Sequence, residues 1–169
     1  MNDEELRRRA RNLRLILADV DGVLTDGAVA YSVTGEELRR FFVRDGLGVE
    51  LLREIGVETG FVCREQAPMI LQRARKLHVT HLFLGVHDKG AEFMRWLAEA
   101  GIRPDETMYL GDDLDDLDVF RHLGEVGLTA APSDAVPEVQ ALAHVVTSAS
   151  GGRGVFREVA ELVCTLRRD

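Results

Sequence analysis

The sequence predicts a doubly wound α/β fold on a parallel sheet, and three patterns carry that expectation. Short apolar runs recur along the 169 residues, each ending in a Gly-containing or acidic turn, as buried parallel strands do. Between them lie longer stretches with apolar residues at helical spacing. No Pro/Ser-rich linker, low-complexity tract or repeat interrupts the alternation. One domain over residues 1–169 is therefore expected, long enough to bury about 70% of its unfolded surface.

The elements follow in order. Met1 to Arg11 is charged on both sides of Leu6 and has no apolar h-region, so no secretory signal is visible. Leu15 to Ala18 reads as a strand that runs into Asp19-Val20-Asp21-Gly22. From Ala28 to Val43, two extended runs around Gly35 predict a β-hairpin, within an insertion spanning 26–44. Helices are expected over Leu47–Ile55, closed by Gly56; Pro68–Leu77, with Pro in the first turn; and Ala91–Ala100, closed by Gly101 with Pro104 beyond. Phe93, Trp96, Leu97 and Ala100 form one apolar stripe, and Phe156, Val159, Leu162, Val163 and Leu166 another; both are core faces.

Charge and composition exclude several classes. A formal net charge of −8 and only 6% aromatic residues argue against a nucleic-acid surface. No run approaches the ~20 apolar residues of a membrane span. Cys63 and Cys164 give neither a disulfide framework nor zinc spacing, and the five histidines show no metal spacing. A cytoplasmic location is expected.

The chemistry is carried by acids at strand ends. Ligands of parallel sheets bind outside the carboxyl ends of the strands. Asp19 and Asp21 stand there two residues apart, where a nucleophile and a general acid can approach one ligand as the strand uncoils. A second cluster, Gly111-Asp112-Asp113-Leu114-Asp115-Asp116, follows the apolar run Met108-Tyr109-Leu110. Clustered hard oxygen ligands suit Mg2+, which typically binds one or two carboxylates plus substrate phosphate. Asp115 and Asp118 are explained by helix capping, whereas Asp112 and Asp113 together are not. Lys89, beyond the run His81 to Leu84, can neutralise a phosphate and hold a nearby carboxylate ionised.

In order and spacing these residues resemble the haloacid dehalogenase superfamily of phosphatases: an Asp-x-Asp motif, a Lys, and a Gly-Asp-Asp cluster with a further Asp. Asp19 to Gly27, Val43-Arg44-Asp45-Gly46, Gly111-Asp112-Asp113 and Gly151-Gly152-Arg153-Gly154 are closer still to the capless phosphatases of 3-deoxy-octulosonate 8-phosphate and nonulosonate 9-phosphate. That subfamily includes a domain fused to some acylneuraminate cytidylyltransferases. The resemblance implies a Rossmann-like sheet without a separate cap domain. It also implies that Asp19 attacks phosphorus and that Asp21 protonates the leaving sugar oxygen and then activates water. Mg2+ would be held by Asp19, Asp112 and the Asp19–Asp21 segment, through the Val20 carbonyl rather than the Asp21 side chain. Asp113 and Asp116 would orient waters or Lys89.

The chain departs from its relatives at the second motif. They carry Ser or Thr where Cys63 falls, followed by a small residue where Arg64 falls. A hydroxyl bond to a charged phosphate contributes roughly 1.5–3 kcal/mol, so its loss slows catalysis by about 10- to 150-fold. Arg64 offers a compensating phosphate ligand. Glu65, with Arg73 and Lys76 three residues apart on the next helix, resembles the nonulosonate branch. By the same resemblance Thr25, Arg44, Asp45 and Arg153 contact substrate, and the hairpin assembles a homotetramer in which neighbours cap each site. The competing expectation is a catalytically weak module that binds or regulates a sugar-nucleotide enzyme. The retained Asp21 favours the enzyme, since a binding module has no use for an acid/base. Asp21 also argues against a phosphoacceptor signalling domain, which lacks a partner acid two residues on.

Overall fold

Leu15–Asp19 (β1) is buried at all five positions, as a strand covered on both faces must be. The computed structural model describes residues 1–168, the side chain of Glu37 excepted. In it β1 pairs in parallel with Glu58–Cys63 (β4) on one side and Thr107–Leu110 (β6) on the other. His81–Leu84 (β5) lies outside β4, and Leu128–Ala131 (β7) and Val145–Val146 (β8) lie beyond β6, giving the order β5-β4-β1-β6-β7-β8. Strand order reverses between β1 and β6, the point where such sheets open a crevice. Asp19 is level with Val62, and Ala18 with Leu110, so Cys63 and the Gly111-Asp112 turn emerge beside Asp19.

Alternation along β1 builds the two cores. Ile16 and Ala18 join a cluster with Ala10, Leu52, Ile70, Phe156 and Val159, from the helices Asp3–Asn12 (α1), Val43–Glu54 (α2), Pro68–Leu77 (α3) and Val155–Arg168 (α7). Leu15 and Leu17 face Phe93, Trp96, Phe120 and Val139, from Lys89–Ala100 (α4), Leu117–Leu123 (α5) and Pro137–Leu142 (α6). Among the described residues no helix is long and apolar enough to cross a membrane. Cys63 and Cys164 are both buried and unpaired.

Four elements differ from the sequence expectation. α1 was read only as a charged stretch; Asn2 caps it by accepting the Glu5 N–H at 2.8 Å, with acids in its first turn and arginines in its last. α2 starts four residues before Leu47, which puts Arg44 and Asp45 in its first turn. α4 starts at Lys89, capped by the Asp88 carboxylate on the Ala91 N–H at 2.9 Å. α3 matches, with His78 rather than a glycine in the left-handed position that ends it. The hairpin is shorter than its 28–43 estimate: Ala30–Ser32 (β2) pairs antiparallel with Gly35–Leu38 (β3), leaving Tyr31, Val33 and Leu38 exposed.

Candidate active site

After Asp19 the chain enters a wide turn, Val20–Leu24, closed by the Thr25 N–H on the Val20 carbonyl at 3.0 Å. Gly22 takes φ +88° there, and any side chain at that position would collide with the Asp112 carboxylate. Glycine thus lets the first acidic turn lie directly against the second.

Lys89, the first residue of α4, is buried with its Nζ among three carboxylates: 2.8 Å from Asp19 Oδ2, 2.7 Å from Asp116 Oδ1 and 3.1 Å from Asp115 Oδ2. Burial works against its charge, but these acids outweigh it and raise its pKa. Asp116 is itself fully held: Oδ1 also accepts the Tyr109 hydroxyl at 2.7 Å, and Oδ2 accepts the N–H groups of Asp112 at 2.9 Å and Asp113 at 3.3 Å. Burial, then the charge of Asp116, pushes the Asp19 carboxyl well above its usual range, with Lys89 pulling the other way. The same two influences push Asp112 up to about 7.

Asp21 is gripped on both oxygens. Oδ1 accepts the Thr25 hydroxyl at 3.3 Å; Oδ2 accepts the Cys63 thiol at 3.5 Å and the guanidinium of Arg39. The thiol also accepts the Glu65 N–H at 3.3 Å. Burial and the Asp21 charge push its pKa up to about 12, so it is a neutral thiol and not a nucleophile. Asp19, Asp21, Cys63, Lys89 and Asp112 line a cleft of about 480 Å³ together with the exposed Arg64 and Glu65, a size suited to a small ligand.

The carboxylates of Asp19, Asp115 and Asp116 come within 4.8 Å of one another, but the ammonium of Lys89 already bonds to all three. Asp112 offers a different position, since its Oδ1 is buried without a hydrogen-bond partner. An orphaned carboxylate oxygen beside Asp19, with a pKa raised by burial and then by the charge of Asp116, fits a divalent cation. The Val20 carbonyl, expected as a second ligand, accepts both the N–H and, at 3.4 Å, the hydroxyl of Thr25.

Several expected substrate contacts lie elsewhere. Thr25 is fully buried and its hydroxyl braces the turn, accepting the Gly27 N–H at 3.2 Å. Asp45 is buried under α7, where it accepts the Arg157 N–H at 3.0 Å. Arg73 donates to the Phe42 carbonyl at 3.1 Å and lies over the Phe41 ring, beside Asp45 rather than in the cleft. Arg44, Lys76 and Arg153 are exposed and outside the cleft lining. Asp113 caps the turn that follows it, accepting the Leu114 N–H at 2.7 Å; Asp115, assigned only to capping, is the residue that reaches Lys89. Sequence reasoning also missed Tyr109, hidden in an apolar run, and Arg39, which reads as one of a solvated Arg-Arg pair; the Glu36-x-x-Arg39 spacing was its only signal.

No family model matches the chain. Individual relatives do. It is 39% identical to 3-deoxy-D-manno-octulosonate 8-phosphate phosphatase KdsC of Yersinia pestis over 160 residues, 95% of this chain and 84% of that one. The chain belongs to the KdsC family of the haloacid dehalogenase (HAD) superfamily. A KdsC of Escherichia coli K12 is 39% identical over 155 residues, covering 92% of this chain and 81% of its own. The Yersinia pestis KdsC crystal structure superposes with a TM-score of 0.91 at 38% identity, covering 98% of this chain and 88% of that one. A Moraxella catarrhalis family member in complex with magnesium, phosphate and KDO gives 0.90 at 30% identity, covering 98% and 93%. The six-stranded parallel sheet is thus the KdsC fold, and similarity to nonulosonate phosphatases or to a cytidylyltransferase is not among these relatives.

Proposed function

We propose that this chain is a Mg2+-dependent phosphatase that hydrolyses a phosphorylated 3-deoxy keto sugar acid through an aspartyl-phosphate on Asp19. The observation that carries it is the ion pair between Asp19 and Lys89 at 2.8 Å, with the orphaned Asp112 oxygen beside it. Asp19 and Asp112 would hold Mg2+, which when bound would supply the positive charge that lets a dianionic phosphate approach the acids. Lys89 works against the burial that raises the Asp19 carboxyl and, fixed by Asp115 and Asp116, holds it in one orientation. Asp21 stands at the cleft face to protonate the departing sugar oxygen, then to take a proton from the hydrolytic water. Arg64 and Glu65, at the rim, meet the phosphate or sugar; Cys63 holds Asp21 rather than replacing the missing hydroxyl.

The names of the relatives favour 3-deoxy-D-manno-octulosonate 8-phosphate as the substrate. The preference for a nonulosonate 9-phosphate rests on Glu65, Arg73 and Lys76, and only Glu65 reaches the cleft. The exposed Tyr31, Val33 and Leu38 of the hairpin support assembly as a homotetramer, which sedimentation would test. Phosphate release from both sugars, with Mg2+ and with chelator, tests the function. Mg2+-dependent release from the octulosonate ester supports it; no release from either moves the reading to a binding module.

A further inference from the structure

Arg39 is the one buried arginine among the described residues, its side chain only 1% exposed, although it leaves a hairpin that otherwise faces solvent. Burying a guanidinium is costly unless its donors are met, and here they are. Nε donates to Glu36 Oε1 at 2.7 Å and Nη2 to Glu36 Oε2 at 3.3 Å, a bidentate pair that fixes the plane of the group. Nη1 then points at Asp21 Oδ2, the oxygen that also takes the Cys63 thiol. A thiol is a weak donor, so the strong hold on that oxygen is the one from the hairpin.

The geometry points to Arg39 as a positioning residue for phosphoryl transfer, with Glu36 as its brace. This rests on the phosphatase reading above. In the first step an Asp19 oxygen forms a bond to phosphorus and the bond from phosphorus to the sugar oxygen breaks. The electron pair stays on the sugar oxygen, which takes the proton from Asp21. Arg39 fixes which way the Asp21 carboxyl faces during that transfer, and so couples leaving-group protonation to the seating of the hairpin.

The test compares kcat/KM, which covers events only through departure of the leaving group, for two substrates in the full chain. One is 3-deoxy-D-manno-octulosonate 8-phosphate, whose alkoxide needs a proton to leave; the other is p-nitrophenyl phosphate, whose phenolate does not. Arg39→Met is expected to lower the first by about 10- to 100-fold and the second by no more than about 3-fold. Arg39→Lys should recover part of the loss, and Glu36→Gln, which keeps the arginine, should show the same substrate bias even if Arg39→Met fails to fold. Equal losses on both substrates would overturn the assignment. A wild-type chain inert to both substrates would overturn the phosphatase reading itself.

Discussion

The hydroxyl of Tyr109 donates to Asp116 at 2.7 Å in a fully buried pocket, and through Asp116 it sets the position of Lys89. Burial and the charge of Asp116 raise the Tyr109 pKa well above its usual value, so the phenol is a donor throughout the working pH range. Tyr109→Phe keeps the edge-on packing against Phe93 and Phe120 but leaves Asp116 one donor short. We expect a loss of about 1–3 kcal/mol in stability and a lower kcat with KM unchanged. Urea melts and steady-state phosphate release measure both.

Asp19→Asn should abolish turnover and leave the fold intact. Lys89 keeps Asp115 and Asp116 as partners, and a buried carboxyl that is costly to ionise is removed. Phosphate release at background with an unchanged or raised Tm is the expected pair of results; retained turnover would sink the nucleophile assignment.

Cys63→Ser tests the departure at the second motif. Serine fits the same small buried strand end and returns a strong donor, so kcat/KM is expected to rise by about 10-fold or more. The native thiol, pushed up to about 12, should resist iodoacetamide at neutral pH in the folded chain.

Asp112→Asn addresses the cation. If the unpartnered Oδ1 is a ligand, the variant should need at least about 10-fold more Mg2+ for half-maximal activity. Calorimetric Mn2+ binding should weaken in parallel, a readout independent of turnover.

Asp45 sets a stability profile rather than an activity profile. Burial pushes its carboxyl from 3.8 up to about 6, against the pull of the Arg157 N–H and the Arg73 charge. The folded chain thus binds this proton more tightly than the unfolded one. The stabilisation is complete below the unfolded value and is lost as pH rises through about 6, a change of up to about 3 kcal/mol. Asp45→Asn, which keeps an acceptor for the Arg157 N–H, should flatten urea-melt stability across that window.

The sheet, three helices and the two acidic turns were legible because each depends on local pattern: β1 and β6 as apolar runs, α3 from Pro68, Asp19 and Asp112 from their place after a strand. What escaped was set by tertiary geometry. Asp45 was expected to contact substrate, yet it serves α7 from more than half the chain away. Arg39 and Arg40 are adjacent and chemically identical; one is buried on Asp21 and the other is exposed on Asp26, a difference no composition or spacing encodes. The engagement of the Val20 carbonyl by Thr25 was not foreseen, because a wide turn closed by a later residue has no sequence period.

Gly151 lies so close on the Gly22 carbonyl that no larger residue fits, and the Gly152 N–H donates to Val23 at 3.0 Å. The turn that carries Asp21 is thus covered by a segment made long after it. Until that segment leaves the ribosome, the first acidic turn stays open although β1 emerged long before. Competence arrives late and at once, so a translation product halted before Gly151 would display the acids without a working centre.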